Sequence, residues 1–503
     1  MNQPLQVPYT ANTALTQNNA LSNLSTLNAC LDFFAQGGSL RNQSLNYIHR
    51  LFASAWQEDP QRSLQIMAWI YDCRGGCGER DVFFHLFVWL TQNYLTVACA
   101  NLALIPEFGR WDMLVRLLAI SELQEAILAL IGRQLHEDCQ RMAEKLSISL
   151  CAKWLPRAGK HDRDKAKLIR KFLGLSASEY RKLLASLSRY LQVVEQKMCA
   201  QQWQEINYAN VPSKATTIYR RAFSRHDPQG YQQYLDRVAA GKADIKASQL
   251  YPYDIVRIYL SDRPADQTLE LQWQALPNPF EQGQLQAILP VVDVSGSMYA
   301  SIKIRPIDVA ISLGIFFAEK NPSIWRGNFL TFSATPSWEK LHGETLFEKV
   351  QNLRRISWGY NTDIQAVFDL ILQRSQQEEL TDADLPKIIL IISDLEFDNA
   401  QSEQTNFAAI EAKFQAAGYT RPVLVFWNVD AKSEQFPVTK ESDHVILLSG
   451  FSPHAFNALM KGEIINPIEA MMATIEQEKY QRWQAVVRDT PPFNDEASSD
   501  FVN

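Results

Sequence analysis

The stretch with the clearest chemical potential is Asp293-Val294-Ser295-Gly296-Ser297. It sets one carboxylate and two hydroxyls at alternate positions of a turn that Gly296 keeps tight, so three hard oxygen donors can face one point. The turn follows directly on the apolar run Gln286 to Val292, which reads as a buried strand. In an open α/β sheet, ligands gather at the carboxyl ends of the strands. Two more oxygen donors stand at equivalent places. Thr362 precedes a helix in Asn361-Thr362-Asp363, and Asp394 ends the apolar strand that starts at Lys387. The set predicts one divalent cation held by Asp293, Ser295, Ser297, Thr362 and Asp394, with Mg²⁺ first and Mn²⁺ or Ca²⁺ as substitutes. So few direct carboxylates leave the ion under-neutralised and able to accept an acidic group from a partner. The alternative is a helix-capping Asp-Ser turn without metal. Asp363, Glu396 and Asp398 lie close by in sequence, either as groups that support the ligands or as solvated loop charges, the commoner case for surface carboxylates.

A second candidate lies in the first half. Between Lys153 and Arg189 there are 11 Lys and Arg, opposed only by Asp162, Asp164 and Glu179. Such a concentration is what contacts to a phosphate backbone require. Lys153, Trp154, Arg157, Lys160, Lys165, Lys167, Arg170 and Lys171 form the predicted RNA-binding set, with Trp154 and Tyr180 as rings on which bases could stack. An ordinary solvated helix face is the competing explanation. Charge along the chain points the same way. Residues 1–285 carry 31 Lys and Arg against 26 Asp and Glu, and the remainder carries 18 against 29. A polyanion would therefore meet the front half.

These residues need elements to position them. From about Leu21 to Leu271 the pattern is helical. Leu123, Ile127, Leu130, Ile131 and Leu135 make one apolar stripe, and Tyr180, Leu183, Leu184, Leu187, Leu191 and Val194 another. Short breakers separate them, such as Gly37-Gly38, Gly75-Gly76 and Pro252. Successive amphipathic helices suit an all-α HEAT-like solenoid or ring. After Pro277-Asn278-Pro279 the pattern switches to strands alternating with helices: strands at 328–332, 387–392, 423–427 and 444–448, and helices at 308–319, 345–353, 362–373, 407–417, 453–461 and 467–487. That alternation implies a doubly wound, parallel α/β sheet. The predicted layout is a flexible arm at 1–20, a helical domain at 21–280, an α/β domain at 285–487 and a disordered tail at 488–503.

With 46% hydrophobic and 21% charged residues, the composition is that of a globular protein. No apolar run approaches the roughly 20 residues of a membrane span, and the polar Met1 to Ala20 segment lacks signal-peptide character. The seven cysteines sit mostly in apolar helical patterns and read as reduced thiols of a cytoplasmic protein. There is no phosphate-binding loop, H-E-x-x-H or G-x-S-x-G, and no His or evident base beside the predicted ion. Enzymatic activity is not expected.

The three oxygen-bearing loops, in this order and context, resemble the metal-ion-dependent adhesion site of the von Willebrand A domain. The wider chain resembles the TROVE-containing Ro ribonucleoprotein family, and more nearly its uncharacterised two-part relatives. The segments that carry this are Arg74-Gly75-Gly76-Cys77-Gly78-Glu79-Arg80, Ile105-Pro106-Glu107-Phe108-Gly109-Arg110-Trp111-Asp112, Cys151-Ala152-Lys153-Trp154-Leu155-Pro156, Leu250-Tyr251-Pro252-Tyr253-Asp254, Pro290 to Met298 and Ser393 to Asp398. The resemblance spans roughly residues 20–480. It implies a helical ring closed by an A domain that binds noncoding or single-stranded RNA as a scaffold. A metal-dependent protein-interaction module without RNA is the alternative.

Overall fold

The structure is a computed structural model. It describes residues 12–15, 21–157, 162–281, 287–299, 304–332, 336–354, 364–395, 406–432, 434–457 and 466–485. A helical N-terminal region is followed by a domain built on a six-stranded mixed sheet. Among the described residues no helix is long and apolar enough to cross a membrane.

The helical region starts differently from expectation. Within the segment expected as a flexible arm, Thr13–Leu15 forms a strand (β1) antiparallel to Leu21–Asn23 (β2). Asn23 then bridges to Phe436 of the α/β domain. The helices that follow begin where side chains can cap them. Ser44 and Asp59 accept from the amides of Tyr47 and Arg62 at 3.2 and 3.0 Å, and Ser176 with Glu179 forms a reciprocal capping box. The Leu123, Ile127, Ile131 and Leu135 stripe is buried along one face of the 23-residue helix Ser121–Ala143.

The sheet comprises β3 (Ile288–Asp293), β4 (Asn328–Phe332), β5 (Trp338–Lys340), β6 (Ile388–Ser393), β7 (Val423–Asn428) and β8 (Val445–Ser449), in the order β5-β4-β3-β6-β7-β8. All neighbours are parallel except the edge strand β5, which pairs antiparallel with β4. This edge strand was not foreseen, and neither was the break that divides 467–487 into Pro467–Ile475 and Glu478–Gln481. Along the central strands the side chains alternate between two cores, as a period of two dictates. Leu289, Val291, Ile389, Ile391, Leu424 and Phe426 meet Phe368 and Phe414 on one face. Val292, Leu390, Ile392, Val425 and Trp427 face the other way, toward Ile307 to Ala318 of the helix Pro306–Lys320.

That second core does not stop at the domain boundary. It runs without interruption into Cys30 to Leu187 of the helical region and returns through Tyr480 and Trp483. Polar contacts follow the same seam. Asp72 Oδ2 accepts from Lys479 Nζ at 2.7 Å and from the Tyr480 hydroxyl at 3.0 Å. Glu270 accepts the amides of Leu346 and Phe347 at 2.8 and 3.0 Å, capping the helix Leu346–Leu353 from the other domain. The two sequence domains thus share one core.

Candidate metal centre

Parallel pairing aligns the ends of β3 and β6. Val292 stands in register with Ile392, and Asp293 with Phe332 of β4. The next residues, Val294 on one side and Asp394 on the other, turn off the sheet together. Asp293 is fully buried, and Ser295 and Asp394 are 3% and 1% exposed. Asp293 Oδ1 accepts the Ser295 amide at 2.9 Å. Its Oδ2 accepts the Ser393 hydroxyl, which in turn accepts the Leu395 amide at 2.9 Å. Leu395 adopts φ +63°, a conformation costly for a branched side chain. The turn that points Asp394 inward is therefore held by its surroundings rather than by local preference.

The hydroxyls of Ser295 and Ser297 lie 3.0 Å apart. Adjacent ligands of an octahedral Mg²⁺ with bonds of ~2.1 Å stand about 3.0 Å apart, so this spacing fits two neighbouring positions. Electrostatics also favour a cation. Burial, together with the negative charge of Asp394, pushes the Asp293 carboxyl up to about 7, while hydrogen bonds from Ser393 and Ser295 oppose the rise. Two carboxylates buried side by side are stable as anions only when positive charge stands between them. Asp293, Ser295, Ser297 and Asp394 are thus brought together. Thr362, the fifth predicted ligand, lies outside the described residues, as do Asp363, Glu396 and Asp398.

One participant was not anticipated. Lys432, beyond the end of β7, places Nζ 3.3 Å from Asp394 Oδ2 and donates to the Ser297 carbonyl. Its signal in sequence was positional only. β7 is the next parallel strand beside β6, so its carboxyl end opens on the same crevice.

The predicted RNA-binding set is more scattered. Lys153 is 3.6 Å from Glu195. Arg157 donates to the Ser188 hydroxyl at 2.7 Å. The Trp154 ring carries the Arg110 guanidinium 4.1 Å from its centre. Tyr180 is 3% exposed and donates to the Pro156 carbonyl at 3.2 Å, so its ring is core and cannot stack on a base. Lys160 lies outside the described residues. Lys165, Lys167, Arg170 and Lys171 all belong to the helix Arg163–Phe172, which buries Ala166 and Ile169 and leaves Lys167 and Lys171 exposed.

A helical region fused through a shared core to a mixed α/β domain, with buried carboxylates at the strand ends, defines the class. A domain of unknown function, DUF7788, matches residues 287–494, and another, DUF2828, matches residues 16–126 and 170–285. An uncharacterised protein of Acanthamoeba polyphaga mimivirus is 30% identical over 93% of this chain and 88% of its own length. The chain belongs to the family of that viral protein. The crystal structure of the Deinococcus radiodurans Ro (RSR) protein aligns with 90% of this chain and 100% of that one, at 14% identity and a TM-score of 0.41. That likeness is too distant to bear on function.

Proposed function

We propose that the chain is a non-catalytic binding scaffold whose α/β domain is a von Willebrand A-type module. It holds one divalent cation, Mg²⁺ in the first instance, through Asp293, Ser295, Ser297, Thr362 and Asp394. The observation that carries this reading is the convergence of two buried carboxylates and two hydroxyls at the ends of adjacent parallel strands. The bound ion would offer its free coordination position to a carboxylate of a partner, and the chain's own residues would orient that ion and keep water from the buried side. Calorimetric titration with Mg²⁺ and Mn²⁺ tests it. One ion per chain is expected, and no saturable binding of either would end the proposal.

RNA binding by the helical region is a second reading, favoured by the Arg163–Phe172 helix, whose last turn carries Arg170 and Lys171. Each phosphate neutralised lowers affinity with salt at a slope of about −0.7 per contact for a single strand. Changing Lys165, Lys167, Arg170 and Lys171 together to Gln should weaken single-stranded RNA binding and flatten that slope by up to about 3. Trp154→Ala should alter it little, because Arg110 already covers the ring. Fluorescence anisotropy at several salt concentrations decides. A quadruple variant that binds with the wild-type slope would remove this helix from the interface.

A further inference from the structure

Among the described residues, Lys432 is a cationic side chain that touches both Asp394 and the Ser297 carbonyl. Its position is set from outside the α/β domain. The segment 430–432 that carries it is held by the turn 39–43 of the helical region. The Ala431 amide donates to the Ser39 carbonyl at 3.3 Å. Asn42 Nδ2 donates to Asp430 Oδ1 at 3.2 Å, and Gln43 Nε2 donates to the Ala431 carbonyl. Ala431 itself is fully buried at this contact. Within the segment, the Asp430 amide is fixed by Asn428 Oδ1 at 3.0 Å. A short, internally braced loop therefore delivers one ammonium to a ligand of the candidate ion, and the helical region braces the loop.

An ammonium 3.3 Å from Asp394 Oδ2 and a divalent ion bonded to that carboxylate would lie within a few ångströms of each other, mostly shielded from water. Like charges at that distance repel strongly in a protein interior. Binding of the ion must then push Lys432 aside. The side chain has somewhere to go, being 29% exposed, whereas the Asp394 side chain is buried.

We propose that Lys432 is a tethered competitor of the divalent cation, and that the helical region tunes the competition by how firmly its 39–43 turn holds the 430–432 segment. This rests on the divalent-cation reading of the site. Coupling between sites is reciprocal. An ion that displaces Lys432 loosens the seam, and a partner that disturbs the seam changes the affinity for the ion.

The test is calorimetric titration of the full chain with Mg²⁺ in five forms: wild type, Lys432→Met, Lys432→Arg, the pair Asn42→Ala with Gln43→Ala, and that pair combined with Lys432→Met. Removing the charge should tighten binding about tenfold or more, whereas Arg should stay within about twofold of wild type because it keeps the charge. The paired Asn42 and Gln43 substitutions should tighten binding about threefold in wild type and have no effect when combined with Lys432→Met, since then no cation is left to release. Thermal unfolding supplies a second readout. Lys432→Met should melt lower than wild type without Mg²⁺ and gain more from its addition. If Lys432→Met binds one Mg²⁺ with unchanged or weaker affinity, Lys432 is a structural ion pair and the competition is refuted while the metal site stands. If no form binds Mg²⁺, the metal site itself falls and the competition with it.

Discussion

Asp293→Asn is expected to abolish divalent binding and, at pH 8 without metal, to stabilise the fold by about 2 kcal/mol. The gain arises because the wild type carries two carboxylates side by side in the interior, with Asp293 pushed up to about 7 by burial and by Asp394. In the unfolded chain the same carboxyl titrates near 3.9. Between these values the folded, metal-free chain holds more protons than the unfolded one. Its stability therefore falls as pH rises from about 4 to about 7 and levels off above that. Asp293→Asn should lose this part of the pH dependence. Metal binding requires the ionised carboxylate, so affinity for Mg²⁺ should rise about tenfold per pH unit below about 7 and flatten above. Urea unfolding of both proteins with chelator at pH 5 and pH 8, alongside calorimetry with Mg²⁺, checks all of this. A variant that is destabilised at pH 8, or that retains Mg²⁺ affinity, would show that Asp293 serves as a structural cap.

A loss of similar size, in the opposite direction, is expected at the seam. Gly38→Ala should cost about 3 kcal/mol. Gly38 follows the helix Ala29–Gly37, and its amide donates to Ser449 Oγ at the end of β8 at 2.9 Å. A Cβ there would lie 2.6 Å from the Ser449 carbonyl oxygen and 2.8 Å from Cys77 Sγ. The φ of −75° suits alanine, so the penalty is steric, and the backbone atoms of β8 cannot rotate away as a side chain would. The lower entropy of the unfolded chain returns less than about 1 kcal/mol. The same substitution should weaken the contact between the 39–43 turn and the 430–432 segment. Equilibrium denaturation with intrinsic Trp fluorescence measures the effect. A loss below about 0.5 kcal/mol would mean that the seam yields and that the two regions are joined less tightly than their shared core indicates.

Much of the α/β domain was legible because its strands are buried on both faces. Runs such as Ile388 to Ile392 are apolar throughout, and the oxygen donors stand where those runs end. The short edge strand Trp338–Lys340 escaped notice because only one strand covers it and its side chains are half-buried or exposed, leaving no apolar run. The basic segment was visible as a count of charges. Which of those charges were already spent on Glu195 or Ser188, and that Arg110 lay over Trp154, depended on residues up to 44 positions away. Tyr180 fell into the buried stripe that periodicity itself had indicated.

Sequence alone determined the properties that are local. These include the switch from helical to alternating pattern near residue 285, the hard-donor chemistry of Asp293, Ser295 and Ser297, and the excess of positive charge in the first half. Tertiary structure decided what depends on distance between remote residues. It joined the two sequence domains through one continuous core and brought Lys432 to the site on a loop braced by Asn42 and Gln43 from nearly 400 residues earlier. The physical reason is that periodicity and donor type are properties of neighbours along the chain. Compensation of a buried charge is instead supplied by whichever side chain the packing brings near, and no pattern along the chain records which one that is.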